Sequence, residues 1–219
     1  KAGETLGVVG RTGSGKSTLL NLIMRQIDPT SGNIIVNGEN LKDINLNDYH
    51  KLSGVVPQEV FLFSDTIRNN IQFGVNDRDV SEEEIIEISK KAHVYHNIVQ
   101  FKEGFDTILG ERGVNLSGGQ KQRVSIARAL LKKPDLLLLD DCLSAVDTET
   151  EDFILKSINE VSQKNMTVIV SHRISSLRYA DEIIVLEDGA KIEEGPNEEL
   201  IVRDGIYSEM YHKQLAEND

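Results

Sequence analysis

The chain is 219 residues long and carries 36 Asp and Glu against 24 Lys and Arg, a formal net charge of −12, with Cys142 its one cysteine. That length suits one domain, or one core with a subdomain, and excludes two domains of full size, while the acidic balance argues against nucleic acid or an anionic membrane surface as the main partner. A lone cysteine cannot form a disulfide within the stretch and suits a reducing compartment, and no apolar run approaches the roughly 20 residues that cross a bilayer, so the stretch is expected to be soluble.

In chain order, the apolar run Leu6-Gly7-Val8-Val9 predicts a strand and Leu19-Leu20-Asn21-Leu22-Ile23-Met24 a helix. Between them stands Gly10-Arg11-Thr12-Gly13-Ser14-Gly15-Lys16-Ser17-Thr18, a Gly-x-x-x-x-Gly-Lys-Ser pattern in the strand-to-helix context that a phosphate-binding P-loop requires. Its glycines let successive backbone N–H groups approach a polyphosphate, and the helix N-terminus adds its positive dipole end. Lys16 supplies a mobile positive charge. Ser17 places a hydroxyl in the first helical turn, where a Mg²⁺ bridging the terminal phosphates sits. The alternative is a glycine-rich turn without a ligand.

The helix is expected to end at Asp28-Pro29-Thr30-Ser31-Gly32, and Asn33-Ile34-Ile35-Val36 ahead of Asn37-Gly38 reads as a strand entering a tight turn. Ser53-Gly54-Val55-Val56-Pro57-Gln58 is a short buried strand that Pro57 stops. From Glu59 to about Gly113 the pattern changes to short amphipathic helices: Thr66 to Ile71, then Ser81-Glu82-Glu83-Glu84 as a capping box opening a helix through Ala92, then Val94 to Phe101. The α/β pattern resumes at Asn115 with a long helix through Leu131. Asp135 to Asp140 follows as a strand apolar enough to be covered on both faces. A second capping box, Thr148-Glu149-Thr150-Glu151, opens a helix to about Val161. Met166–Val170 and Glu182–Leu186 are further strands, Asp188-Gly189 turns into Ala190-Lys191-Ile192, and Asn197 to Gln214 alternates turns and short helices.

A P-loop needs a carboxylate to hold its metal. Asp140 ends its apolar strand, and ligands of an open parallel sheet bind at the carboxyl ends of the strands, which places Asp140 beside the P-loop; an Asp that merely terminates a strand is the alternative. Asp141 points to the other face and is placed to orient an attacking water. Leu116-Ser117-Gly118-Gly119-Gln120 again puts a serine and glycines at a helix N-terminus, and reads either as a second anion site or as a capped helix. A second phosphate cradle so far along the chain has a use only if it serves another molecule's nucleotide.

Taken in order, these segments resemble the ATP-binding cassette (ABC) proteins, exporter type. Gly10 to Thr18 resembles Walker A, Gln58 the Q-loop, Leu116 to Gln120 the signature and Leu136 to Asp140 Walker B. Ser144-Ala145-Val146-Asp147 is similar to the D-loop, and His172 in Val170-Ser171-His172-Arg173 to the switch histidine. Gly110-Glu111-Arg112-Gly113 is similar to the loop by which exporter cassettes contact their membrane domains, and Phe61 to Arg68 also looks like exporters. The resemblance covers nearly the whole chain. It implies an α/β fold: a P-loop NTPase (RecA-like) parallel-sheet core over residues 1–58 and 114–219, with an inserted α-helical subdomain at 59–113.

The implied cofactors are ATP and Mg²⁺. By this resemblance Gly10, Arg11, Thr12, Gly13, Ser14, Gly15, Lys16, Ser17 and Thr18 cradle the β and γ phosphates, and Ser17 and Gln58 bind Mg²⁺ with Asp140 behind it through water. Asp141, His172 and Gln58 form the catalytic set, with His172 reaching the γ-phosphate. Ser117, Gly118, Gly119 and Gln120 meet the ATP held by a partner domain, so two domains sandwich two nucleotides head to tail.

The family further implies N-terminal strands and an adenine-stacking aromatic residue ahead of Lys1, and a Glu where this chain has Asp141; Cys142 replaces a usual proline. One methylene fewer withdraws the Asp141 carboxylate by about 1.5 Å. A base must lie within about 2.6–3.2 Å of the proton it takes, and a misplacement of about 1 Å costs about 100-fold. The resemblance is therefore to the degenerate-site half of a heterodimeric multidrug-type exporter, binding ATP but hydrolysing it slowly. Its implied partners are a second nucleotide-binding domain and a transmembrane domain upstream in the same polypeptide, at the cytoplasmic face of the cell membrane, with no nucleic acid. The rival readings are a soluble ABC ATPase acting on nucleic acid or ribosomes, and a nucleotide-gated regulatory module. The acidic charge and the Gly110 to Gly113 loop favour export.

Overall fold

The computed structural model describes residues 2–113 and 115–218. Lys1, Val114 and Asp219, on which the expected internal boundary and outer limits fall, lie outside the described residues. The strands are β1 (Thr5–Gly10), a hairpin of β2 (Ile35–Val36) and β3 (Glu39–Asn40), then β4 (Ser53–Val56), β5 (Leu136–Asp140), β6 (Met166–Val170), β7 (Glu182–Glu187) and β8 (Ala190–Gly195). The main sheet runs β4-β5-β6-β1-β7-β8, parallel throughout except for β8, which pairs antiparallel with β7. Both tight turns expected from sequence are present. Asn37 and Gly38 turn the small hairpin with φ of 52° and 86°, and Asp188 and Gly189 turn β7 into β8 with φ of 48° and 79°, the left-handed pairs that match strand twist.

The apolar runs are covered on both faces because alternate residues point opposite ways. Leu137 and Leu139 join Val9, Ile169 and Val185 in one buried cluster, while Leu138 joins Val8, Val168, Val170 and Leu186 in the other, against Leu20 of the P-loop helix and Met24 just after it. That helix, α1 (Lys16–Ile23), ends earlier than expected. Arg25 takes a left-handed φ of 51° and its guanidinium donates to Leu41 O and Ile44 O at 3.0 and 2.9 Å, which turns the chain before Asp28 is reached. An element without a clear sequence signal follows: α2 (Leu46–Leu52), whose N-cap Asn45 accepts from Asn47 N and Asp48 N.

Between β4 and β5 lie α3 (Ile67–Gln72), α4 (Glu82–Lys91), α5 (Tyr95–Ile98) and α6 (Gly118–Leu131). Thr66 and Ser81 cap α3 and α4 as the sequence predicts, but Glu84 does not complete a capping box; its carboxylate pairs with Arg78 at 2.7 Å and Lys133 at 2.7 Å. Val94 to Phe101 yields only the single turn α5. Ile67, Ile71, Ile85 and Ile88 share one buried cluster with Val9, Leu139 and Ile169, so these helices extend the sheet's own core.

Helix α7 (Thr148–Ser162) is capped one residue earlier than the Thr148 box predicts: Asp147 Oδ1 accepts from Thr150 N at 2.9 Å, and Glu151 is buried instead of reaching back. Helices α8 (Asn197–Val202) and α9 (Ile206–Asn218) close the fold. Among the described residues no helix is long and apolar enough to cross a membrane.

Candidate functional site

Strand β1 delivers the chain to Gly10, where a Cβ would stand 2.2 Å from Leu186 O; only glycine lets the loop leave the sheet here. The loop closes on Gly15, whose φ of 101° is left-handed, and α1 begins at Lys16 with no side-chain cap and no acidic residue in its first turn. The first amides of α1 and its positive dipole end are thus left for a ligand. Lys16 is buried inside the loop and donates to Gly10 O at 2.8 Å and Arg11 O at 3.0 Å, with Ser14 buried beside it. Arg11, Thr12, Gly13, Ser17 and Thr18 are exposed.

Strand register brings the remaining groups to the same end of the sheet. Asp140 and Val8 both lie level with Val170, so the P-loop and His172 each begin just beyond Asp140. Val56 is level with Leu139, which puts Gln58 two residues further at that end, exposed on the loop after β4. Burial and the adjacent Asp141 push the Asp140 carboxyl above its ordinary range, while His172 and Lys16 pull it back. Burial pulls the Lys16 ammonium down, against Asp141 and Asp140. Lys16, Asp140, Asp141 and His172 therefore share one electrostatic site.

Asp141 is not free at this site. It takes a left-handed φ of 41°, and its Oδ1 accepts from His172 N at 3.2 Å and Ser171 Oγ at 3.4 Å. Non-glycine residues in that region carry backbone strain that surrounding contacts must hold, and these two do so. The carboxylate staples the end of β5 to the loop that carries the exposed His172. Cys142 next to it is fully buried, and burial pushes its thiol pKa up, so it is a packed side chain without nucleophilic character.

The loop 171–176 has further ties that the sequence reading missed. Arg173 donates to Ser144 O at 2.8 Å and pairs with Glu151 at 3.5 Å, and Glu151 accepts from Ser175 and from Ser176. Gln214 of α9 bonds both His172 O and Ile174 N. Glu151 carries a sequence signal, but as the last residue of a capping box; Gln214 reads as a surface residue of the tail.

The Ser117 to Gln120 segment lies against the loop after β5. A Cβ on Gly119 would stand 2.9 Å from Ala145 O, and Ala145 N donates to Gln122 Oε1 at 3.3 Å. Ser117 forms a full capping box: its Oγ accepts from Gln120 N at 3.2 Å and its own N–H donates to Gln120 Oε1 at 2.9 Å. The capped-helix alternative is thus present, and it leaves the exposed Ser117 hydroxyl proton available to another acceptor. Phe61, half-exposed, packs edge-on to Phe63, and Arg128 lies over the Phe63 and Phe73 rings. A cavity of about 910 Å³ opens between α7 and α9, bordered by Asp147, Arg173, Tyr211 and Gln214 and by no P-loop residue.

Comparison with known proteins bears on the family and the fold. A family model described as ABC transporter matches residues 1–144. The chain is 44% identical over 213 residues, 97% of its length, to ABC transporter B family member 6 of Dictyostelium discoideum, of which it covers 31%. It is 42% identical over 218 residues to the ATP-dependent lipid A-core flippase of Syntrophus aciditrophicus (strain SB), matching 100% of this chain and 36% of that protein. A solved bacterial Atm1-family ABC exporter with ATP bound superposes with a TM-score of 0.92 at 40% identity, over 97% of this chain and 37% of that one. The chain spans about a third of the length of the relatives it matches. With an uncapped P-loop facing Asp140, Asp141 and His172 across one sheet end, and the family match covering residues 1–144, the chain belongs to the ABC transporter family.

Proposed function

We propose that this chain is the ATP-binding and hydrolysing motor domain of an ABC exporter, working at the cytoplasmic face of a membrane and joined to a transmembrane domain of the same polypeptide. The observation that carries the reading is the convergence of Lys16, Asp140, Asp141 and His172 beside the open N-terminus of α1. Residues Gly10 to Thr18 hold the β and γ phosphates through the loop amides and the Lys16 ammonium. His172 reaches the γ-phosphate from the end of β6. The names of the relatives, exporters and a flippase, support export over a soluble ATPase acting on nucleic acid.

The donor set fits Mg²⁺. Its donors are hard oxygens: the Ser17 hydroxyl, exposed at the start of α1, and the Gln58 amide oxygen, exposed after β4, would bind the ion, with the Asp140 carboxylate behind it through water. Bound there, Mg²⁺ offsets the charge that develops on the phosphate oxygens. We divide the chain into a core of residues 1–58 and 114–219 and a helical subdomain of 59–113.

Asp141 makes this site a slow one. Its side chain is a methylene shorter than the glutamate expected there, and one of its oxygens is engaged on His172 N and Ser171 Oγ. A base so held lies back from an attacking water and accepts its proton poorly. Two domains dimerise head to tail, the Ser117 to Gln120 end of one meeting the nucleotide in the P-loop of the other, and the partner of this chain carries the longer carboxylate. The test is steady-state ATPase of the chain alone and of the reconstituted pair. The expected result is weak turnover alone and fast turnover in the pair; full activity of this chain by itself would falsify the asymmetric assignment.

A further inference from the structure

We propose that Gln214 of α9 is a positioning residue for His172, so that the last helix of the chain sets the geometry of the phosphate site. The inference rests on the reading of His172 as the residue that meets the γ-phosphate. Gln214 Nε2 donates to His172 O at 2.7 Å, and Gln214 Oε1 accepts from Ile174 N at 2.9 Å. Donor and acceptor of one amide thus grip the main chain on both sides of Arg173, across 42 and 40 residues of sequence. From the other direction, Asp141 Oδ1 holds His172 N at 3.2 Å. Both peptide groups of His172 are fixed while its side chain faces outward.

The first turn of α9 is itself tied to the fold. Tyr207 is fully buried, with its hydroxyl on Asn197 Oδ1 at 2.6 Å, and Ser208 Oγ donates to Ile201 O at 2.8 Å. The grip needs both halves of an amide. Glutamate has the same reach but two acceptors, so at neutral pH it keeps the bond from Ile174 N and sets an anionic oxygen against His172 O.

The experiment uses the full gene product without the glutamate-bearing partner, so that the turnover read is the slow one at this chain's own P-loop, in four forms: unchanged, Gln214→Glu, His172→Ala, and both together. ATP turnover is measured in single-turnover format, Mg-ATP affinity by calorimetry, and amide exchange at residues 172–174 by mass spectrometry. Gln214→Glu should slow turnover by about 10-fold to 100-fold, the scale of a misplacement of about 1 Å, with Mg-ATP affinity unchanged and exchange at residues 172–174 faster. On the His172→Ala background it should cause no further loss, because two residues acting through one contact are not additive. The same fold-loss on both backgrounds, or unchanged turnover of Gln214→Glu, overturns the role of Gln214 and leaves His172 standing. Full turnover of His172→Ala alone overturns the reading of His172, and the Gln214 role falls with it.

Discussion

Two glycine-rich helix starts in this chain look alike in sequence and are finished differently. At Gly10 to Thr18 the helix opens on a left-handed Gly15 with no side-chain cap, and Lys16 lies folded inside the loop against Gly10 O and Arg11 O. At Ser117 to Gln120 the helix opens on a complete capping box, with both Ser117 Oγ and Gln120 Oε1 accepting from backbone N–H groups. Orphan amides at a helix start are satisfied by a side chain, by water or by a ligand. The first start has no side-chain cap of its own, and on the function proposed above an anion completes it. The second carries its own cap and keeps one exposed hydroxyl proton, which on the same proposal touches a nucleotide that the partner holds.

The largest expected effect tests the first start. Lys16→Ala should weaken Mg-ATP binding by at least about 10-fold, since a hydrogen bond to a charged group contributes about 1.5–3 kcal/mol, while the circular dichroism of the chain is unchanged. Undiminished ATP affinity in a calorimetric titration removes the main support for the P-loop reading. The next tests the second start in the assembled pair. Ser117→Arg should abolish turnover and leave ATP affinity of this chain's own P-loop intact, whereas Asp141→Asn should lower the pair's turnover far less. Equal losses from the two substitutions would place both residues on the same nucleotide and end the division of labour.

What the sequence made legible follows from how local each signal is. The P-loop, the strand ends at Asp140 and Val170, and the turns at Asn37-Gly38 and Asp188-Gly189 are short-range patterns, and they stand where expected. The caps were harder. Asp147 displaced Thr148 at the start of α7 because Glu151 is drawn into the core by Ser175, Ser176 and Arg173, a long-range contact that no local pattern carries. The engagement of Asp141 with His172 N and the two-point grip of Gln214 are of the same kind. Residue types at the site could be read; the tethers that aim them arise from the packing of distant segments.

A smaller effect measures how far the first start is poised for its ligand. Burial and Asp141 raise the folded-state pKa of Asp140, so the folded chain binds that proton more tightly than the unfolded chain does. Ionised Asp140 therefore weakens the ligand-free fold, and this cost grows as pH rises from the unfolded carboxyl value of about 3.9 through the raised folded one. Asp140→Asn should raise the melting temperature of the ligand-free chain at pH 7, and the gain should shrink as pH falls toward 4. With Mg-ATP added, the order should reverse. A gain independent of pH would mean that Asp140 is not the source of the cost.

The smallest effect separates the two duties of Ser117. As an N-cap, its loss to alanine costs about 1 kcal/mol of stability, and its loss to glycine only a few tenths, because glycine tolerates the extended cap backbone and leaves the amides open to water. As a donor toward a partner's nucleotide, the hydroxyl is equally absent in Ser117→Ala and Ser117→Gly. Urea melts of the two variants should therefore differ while ATP turnover of the reconstituted pair falls by the same factor in both. If turnover instead tracks stability, with Ser117→Gly close to the parent, the hydroxyl acts only by holding α6. The second start is then a capped helix, and the contrast with Gly10 to Thr18 becomes one between a ligand site and a structural turn.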